Sequence, residues 1–69
     1  MKKIKIKVNG KLKIVLNNSK LSELLNNLNI PIKKVAIELN QEIIDKKKTS
    51  NIKLREDDKI EIVHFIGGG

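Results

Sequence analysis

The first sixteen residues form two runs of alternating apolar and polar side chains around an Asn-Gly pair. Alternation with a period of two residues is typical of a β-strand with one buried face. Asn9-Gly10 separates the runs, and both residues tolerate the positive φ of a two-residue hairpin turn. The sequence therefore opens with a predicted β-hairpin that has one apolar face. The residues expected on that face are Ile4, Ile6, Val8, Leu12, Ile14 and Leu16.

The hydrophobic period then changes to that of an amphipathic helix. Four leucines follow the spacing i, i+3, i+4, i+7, which places them on one helical stripe; they are Leu21, Leu24, Leu25 and Leu28. Ser19 is a candidate N-cap, and Asn29 followed by Pro31 is a stop signal. The pattern predicts a short helix over residues 20–28 that packs on the hairpin.

The rest of the chain predicts three further strands. Residues 35–39 alternate, residues 43–44 form a brief strand after a turn, and residues 59–66 are apolar enough for a central position. A polar loop fills residues 45–51, after which Ile52 and Leu54 are expected to cover an open end of the core. This order predicts an α+β fold of the β-grasp (ubiquitin-like) type, with a mixed sheet of four to five strands and one helix across it. We expect one domain over residues 1–66 and a flexible glycine tail over residues 67–69.

The strong positive charge changes this picture little. The net charge of +7 and the pI near 9.9 favour a nucleic-acid binder at first sight. However, lysine, isoleucine and asparagine together make up 34 of the 69 residues, and all three have A/T-rich codons. Arg55 is the sole arginine, and the sequence has no Tyr or Trp on which bases could stack. A nucleic-acid partner is therefore disfavoured.

The sequence offers few residues for catalysis or metal binding. It contains no cysteine, and His64 is its single histidine, whereas a metal site needs three or four ligands. Glu56, Asp57 and Asp58 are adjacent, so they are expected to spread around a solvated turn. We expect a protein that is not an enzyme by itself and that binds no metal. The N-terminus lacks a long apolar stretch and no segment is apolar enough to cross a membrane, which favours a cytoplasmic protein without a membrane partner.

The exception is the sequence end, where Gly67, Gly68 and Gly69 follow the last predicted strand. Without Cβ atoms such a tail is thin and free in φ. It can enter a narrow tunnel and deliver its terminal carboxylate to the active site of another protein.

Several segments resemble the ThiS-type sulfur carrier proteins of thiamin biosynthesis over nearly the whole chain. They are Val-Asn-Gly at 8–10, LSELL at 21–25, VAIELN at 35–40 with EII at 42–44, and DKIEIVHFIGGG at 58–69. Two turn positions depart from the family pattern: Gln41 and Asp57 stand where glycine is usual. These departures concern the local shape of the turns and leave the tail unaffected.

The resemblance implies a mechanism in which the carboxylate of Gly69 is the reacting group. An adenylyltransferase of the ThiF type would adenylate it with ATP and Mg²⁺, which belong to that partner and not to the carrier. Sulfur from a cysteine-derived persulfide would then give a thiocarboxylate, which supplies thiazole synthase. A MoaD-like carrier for molybdopterin or a carrier for tRNA thiolation would use the same chemistry. A ubiquitin-like protein modifier and a basic nucleic-acid-binding module are less favoured alternatives.

The last strand also predicts a docking surface at the base of the tail. Alternation turns Ile60 and Ile62 toward the helix, and it turns Val63 and Phe65 to the uncovered face of the sheet. With Ile66 they would form an apolar patch that aims the tail at a partner. The alternative is that Phe65, the single aromatic residue, closes one end of the core.

Overall fold

The structure, a computed structural model, describes residues 2–65. Five strands and one α-helix are formed in this range, together with 3₁₀ turns at Ile32–Lys34 and Lys46–Asn51. The elements are β1 (Lys3–Val8), β2 (Lys11–Leu16), α1 (Leu21–Asn27), β3 (Val35–Leu39), β4 (Glu42–Ile43) and β5 (Lys59–His64). Ile66 and Gly67–Gly69 lie outside the described residues, so the predicted flexible tail and the domain limits stay predictions.

The strands form one mixed sheet in the order β2-β1-β5-β3-β4. β5 lies at the centre, parallel to β1 and antiparallel to β3. β1 and β2 form the antiparallel hairpin. The predicted α+β arrangement, with a five-stranded mixed sheet and one helix, is therefore confirmed for the described residues. The prediction that the most apolar strand occupies the centre is confirmed as well.

The core lies between one face of the sheet and α1. β1, β3 and β5 contribute the residues of their inward faces, α1 contributes its leucine stripe, and the loop before β5 contributes Leu54, which is 1% exposed. The buried residues are Ile4, Ile6, Leu21, Leu24, Leu25, Val35, Ile37, Leu54, Ile60 and Ile62. Leu54 and the half-buried Ile52 thus cover the end of the core, as the sequence predicts.

The prediction of one apolar face for the hairpin was wrong for β2. The two-residue turn pairs Val8 with Lys11, so Ile6 faces Lys13 and Ile4 faces Val15 across the ladder. The other three apolar residues of β2 consequently lie on the opposite face of the sheet; they are Leu12, Ile14 and Leu16. The physical reason is the register, because a two-residue turn fixes which residues face each other and a strand alternates its faces strictly.

The N-terminal end of α1 is capped through a side chain and its C-terminal end through the backbone. The prediction that Ser19 is the N-cap was wrong, since its hydroxyl donates to the Leu16 carbonyl at 2.7 Å. The N-cap is Lys20, whose N–H donates to Oε1 of Glu23 at 2.8 Å. At the C-terminal end Asn29 adopts φ 56°, and the N–H of Ile30 reaches the Leu25 carbonyl at 3.0 Å. That bond belongs to a Schellman motif and confirms the predicted stop at Asn29.

Candidate functional site

The candidate site is the end of β5, where the chain leaves the sheet toward the predicted tail. β5 is held from both sides: five residues pair with β3, and two residues of β1 pair with its first half. One residue beyond β5, the N–H of Phe65 still donates to the Lys34 carbonyl at 3.0 Å. The chain is therefore fixed in direction up to residue 65.

The side chain of Asn9 extends the β1–β5 pairing after β1 has ended. The Asn9 N–H donates to the Ile60 carbonyl at 2.9 Å, and its Oδ1 accepts a hydrogen bond from the Ile62 N–H at 2.7 Å. Asn9 can do this because it sits in the hairpin turn with φ 51°. The sequence signalled only the turn; the bond to β5 is set by the three-dimensional position of the hairpin.

The face of the sheet opposite α1 exposes apolar side chains at the end of β5. Val63 is 53% exposed and Phe65 is 56% exposed, while Ile60 and Ile62 are buried against the helix side. The burial of Ile60 and Ile62 and the exposure of Val63 and Phe65 confirm the alternation predicted for this strand. Val63 lies opposite Ala36 of β3, which adds a small apolar neighbour.

Phe65 does not close the core. Its ring is more than half exposed, and its described neighbour is a charged group: Nζ of Lys46 lies 4.8 Å from the ring centroid. A cation over an aromatic face is a favourable contact for an exposed ring. Of the patch predicted from sequence, Val63 and Phe65 are thus accessible, and Ile66 lies outside the described residues.

The acidic turn before β5 is more structured than its sequence indicates. Asp58 is 8% exposed and not solvated, because Oδ1 accepts from Nδ2 of Asn40 at 3.0 Å and Oδ2 accepts from the Arg55 N–H at 2.8 Å. Glu56 also accepts a hydrogen bond, from the Lys5 N–H at 3.1 Å. Asp57 adopts φ 70°, the left-handed geometry for which glycine is usual. Glu56 and Asp58 therefore build the turn with their carboxylates and Asp57 with its backbone, and the described residues show no shared metal-binding centre here.

The described residues contain no cluster of three or more potential metal ligands. His64 is exposed on β5. No α-helix within residues 2–65 is long and apolar enough to span a bilayer. The chemistry expected of Gly67, Gly68 and Gly69 falls on residues outside the described range, so their roles stay predictions.

Comparison with known proteins identifies the family. A model of the ThiS family matches residues 6–69, which is most of the chain. The chain belongs to the ThiS family. This confirms the resemblance that the sequence segments predicted.

Individual ThiS-family relatives agree with this assignment. The chain is 38% identical over 65 residues to the sulfur carrier protein ThiS of Bacillus subtilis, covering 98% of that protein. It is also 39% identical over 66 residues to a thiazole synthase of Magnetococcus marinus, of whose length it spans only 20%. The crystal structure of a thiamine biosynthesis protein (ThiS) from Geobacter metallireducens superposes with a TM-score of 0.83 at 29% identity, covering 96% of this chain and all of that one. The β-grasp fold is thereby confirmed.

Proposed function

We propose that this ThiS-family chain is a sulfur carrier protein of thiamin biosynthesis that presents the carboxylate of Gly69 to its partners. The observation that carries the proposal is the construction of β5. The chain is anchored along this central strand and on to Phe65, and it exposes Val63 and Phe65 shortly before the glycine residues. A rigid strand followed by residues without side chains suits the delivery of a chain end into another protein.

The chemistry requires activation, because a carboxylate is a poor electrophile. We infer that a ThiF-type adenylyltransferase binds ATP and Mg²⁺, and that a carboxylate oxygen of Gly69 attacks the α-phosphorus while pyrophosphate leaves. The terminal sulfur of a cysteine persulfide then attacks the acyl carbon and AMP leaves. A thiol cleaves the resulting S–S bond and releases the thiocarboxylate. Because this chain contains no cysteine, neither the persulfide nor the thiol belongs to it.

The thiocarboxylate would then supply sulfur to thiazole synthase. Two proteins named thiazole synthase, from Magnetococcus marinus and Paramagnetospirillum magneticum, match this chain over 66 residues, which is 20% of each of them. A segment similar to this carrier thus occurs within those longer proteins. This supports thiazole synthase as the sulfur acceptor in preference to the molybdopterin and tRNA pathways.

Mass spectrometry tests the proposal directly. The protein is incubated with a ThiF-type enzyme, ATP and a persulfide source, and it should gain about 16 Da at Gly69 as sulfur replaces oxygen. Deleting Gly69 should abolish the gain in mass. Gly68→Ala should reduce it, because the added methyl group would hinder entry of the tail into the narrow tunnel of the partner enzyme. A mass gain on a side chain, or one that survives the deletion, would refute the carrier function.

A further inference from the structure

Within residues 2–65, β2 is an edge strand of the sheet that pairs only with β1. The Asn17 N–H donates to the Lys2 carbonyl at 2.8 Å, and backbone groups along an antiparallel strand point alternately toward and away from the partner strand. The backbone groups of Leu12, Ile14 and Leu16 therefore point away from β1. We call these three residues the β2 edge.

Most of these outward backbone groups have no partner among residues 2–65. The Leu16 carbonyl accepts hydrogen bonds from the N–H and the hydroxyl of Ser19. Within the described part of the chain, the backbone groups of Leu12 and Ile14 take part in no hydrogen bond outside the strand ladder. Proteins usually protect such an edge by charges, bulges or a covering element, because it is a template for another strand.

The side chains of the β2 edge are also exposed. Leu12 is 63% exposed, Ile14 is 56% exposed and Leu16 is 46% exposed, all on the sheet face opposite α1. Singly exposed apolar residues are ordinary, but three in a row along an unpaired edge are not. Backbone donors and apolar contacts are thus presented by the same three residues.

The positive charge of the molecule surrounds this edge. Residues 1–22 contain seven lysines and no acidic residue, whereas residues 23–69 contain eight basic and eight acidic residues. Lys3, Lys5 and Lys7 stand directly across from Leu16, Ile14 and Leu12 in the ladder. Codon bias explains a high lysine content, but it does not explain why the first 22 residues carry no acidic residue.

We propose that an extended segment of a partner protein, with alternating apolar and acidic side chains, pairs with the β2 edge as a sixth strand. Its apolar side chains would cover the three exposed residues. Its acidic side chains would lie on the other face of the sheet, near Lys11 and Lys13. On that face a groove of about 350 Å³ runs between β2 and α1, lined among others by Lys13, Val15 and Leu24. This surface is two strands away from Val63 and Phe65, so the proposal does not rest on the proposed function.

Charge decides against two other occupants. A second copy could pair its β2 around Ile14 and match Leu12 with Leu16, but it would bring the lysines of two identical hairpins together. A nucleic acid would satisfy the lysines, yet it would leave the apolar side chains and the free backbone groups of the β2 edge unused. An acidic polypeptide strand satisfies the backbone, the apolar stripe and the charge at once.

The test uses a short peptide that alternates valine and glutamate, titrated into the isotope-labelled protein and followed by NMR. We expect the amides of Leu12, Ile14 and Leu16 to shift and to gain protection from hydrogen exchange, and binding to weaken with salt. A peptide in which lysine replaces glutamate should bind far more weakly. Equal binding of the two peptides, or no shift at millimolar concentration, would overturn the proposal.

Two variants assign the binding to the β2 edge. Ile14→Pro removes the outward N–H without breaking a bond to β1, and it should weaken peptide binding about five- to ten-fold. Ile14→Thr keeps the β-branched shape and should weaken it for lack of apolar contact, whereas Ile43→Thr, at a 77% exposed residue of the opposite edge strand, should not. Thermal unfolding confirms that each variant is folded. If the three amides of the protein alone become protected as its concentration rises, the edge binds a second copy. If an oligonucleotide displaces the peptide and shifts only resonances near the lysines, the edge binds nucleic acid. Either result overturns the proposal.

Discussion

At the scale of the residue, asparagine does the work that glycine does in many turns. The chain has four glycines, three of them at its end, and six non-glycine residues in residues 2–65 adopt positive φ. Four of the six are asparagines, a residue type that tolerates this conformation; they are Asn9, Asn18, Asn29 and Asn40. An asparagine-rich composition is therefore compatible with tight turns, and Asn9 and Asn40 add side-chain hydrogen bonds that glycine cannot make.

Replacing Asn9 should separate these two contributions. Asn9→Gly keeps the turn but removes the acceptor for the Ile62 N–H, and we expect it to lower the free energy of unfolding by about 1–2 kcal/mol. Asn9→Ala should cost more because alanine disfavours positive φ, while Asn9→Asp should stay close to the parent protein. Urea unfolding measures all three. Equal stability of the Gly variant and the parent would show that the bond to β5 contributes nothing.

Phe65 should matter for partner binding more than for stability. Because its ring is 56% exposed, Phe65→Ala should change the free energy of unfolding by less than about 1 kcal/mol, against the 3–5 kcal/mol expected for a core phenylalanine. Affinity for the adenylyltransferase should fall, as measured by calorimetric titration. Ile43→Ala, at another exposed apolar position, is the control that should keep full affinity. A loss of stability without loss of affinity would contradict the docking role.

At the scale of the element, two turns are joined through one buried carboxylate. Asn40 lies in the turn between β3 and β4, and its N–H and Oδ1 bond the backbone of Lys59 at the start of β5. Asp58 holds the Asn40 amide and the Arg55 N–H. The beginning of β5 is therefore joined to the turn between β3 and β4 by side-chain hydrogen bonds as well as by the strand pairing.

Removing that carboxylate should destabilise the fold. Asp58→Ala leaves two donors without an acceptor in a partly buried place, and we expect a loss of about 3 kcal/mol in the free energy of unfolding. Asp58→Asn keeps one acceptor, so its stability should lie between those of the parent protein and Asp58→Ala. Glu42→Ala, which removes an exposed carboxylate on β4, should stay within about 0.5 kcal/mol of the parent. If thermal unfolding gives the same stability for the Asp58→Ala and Glu42→Ala variants, the hydrogen bonds of Asp58 do not stabilise the fold.

Elements were easier to predict from the sequence than the contacts between them. Local periodicity was sufficient for α1, β3 and the central β5, because each buries a regular set of apolar residues. The hairpin turn was predicted correctly, but the face of β2 was predicted wrongly. Alternation alone does not tell which face of the sheet a strand presents, and the register set by Asn9-Gly10 turns Leu12, Ile14 and Leu16 away from α1. The roles of Asn9 and Asp58 depend on partners more than 15 residues away, Ile62 for one and Asn40 for the other, which periodicity does not relate.

At the scale of the whole molecule, charge is unevenly divided. Residues 1–22, which include the hairpin, carry the full excess of +7, while residues 23–69 are balanced. Lys3, Lys5 and Lys7 lie on one face of β1 and repel one another. Salt weakens this repulsion, because the screening length for exposed charges falls to about 10 Å at 0.1 M ionic strength. The hairpin should thus be the part of the protein whose stability responds most to salt.

Thermal unfolding at increasing NaCl concentration checks this expectation. The parent protein should gain about 1 kcal/mol between low and moderate ionic strength, which is a rise of several degrees in Tm. Lys5→Gln should reduce the gain. Lys47→Gln changes the net charge equally but lies in the balanced region, and it should leave the gain intact. Equal effects of the two variants would mean that total charge, and not its location, sets the response.

The parallel pairing of β1 with β5 has a consequence for synthesis. The first strand finds its central neighbour only after β5, at residues 59–64, has been made, so the sheet cannot close while β5 is still inside the ribosomal exit tunnel. A prematurely terminated chain lacks this strand and cannot complete the core. We therefore expect that only chains translated through β5 fold, and that products ending before β5 remain unfolded.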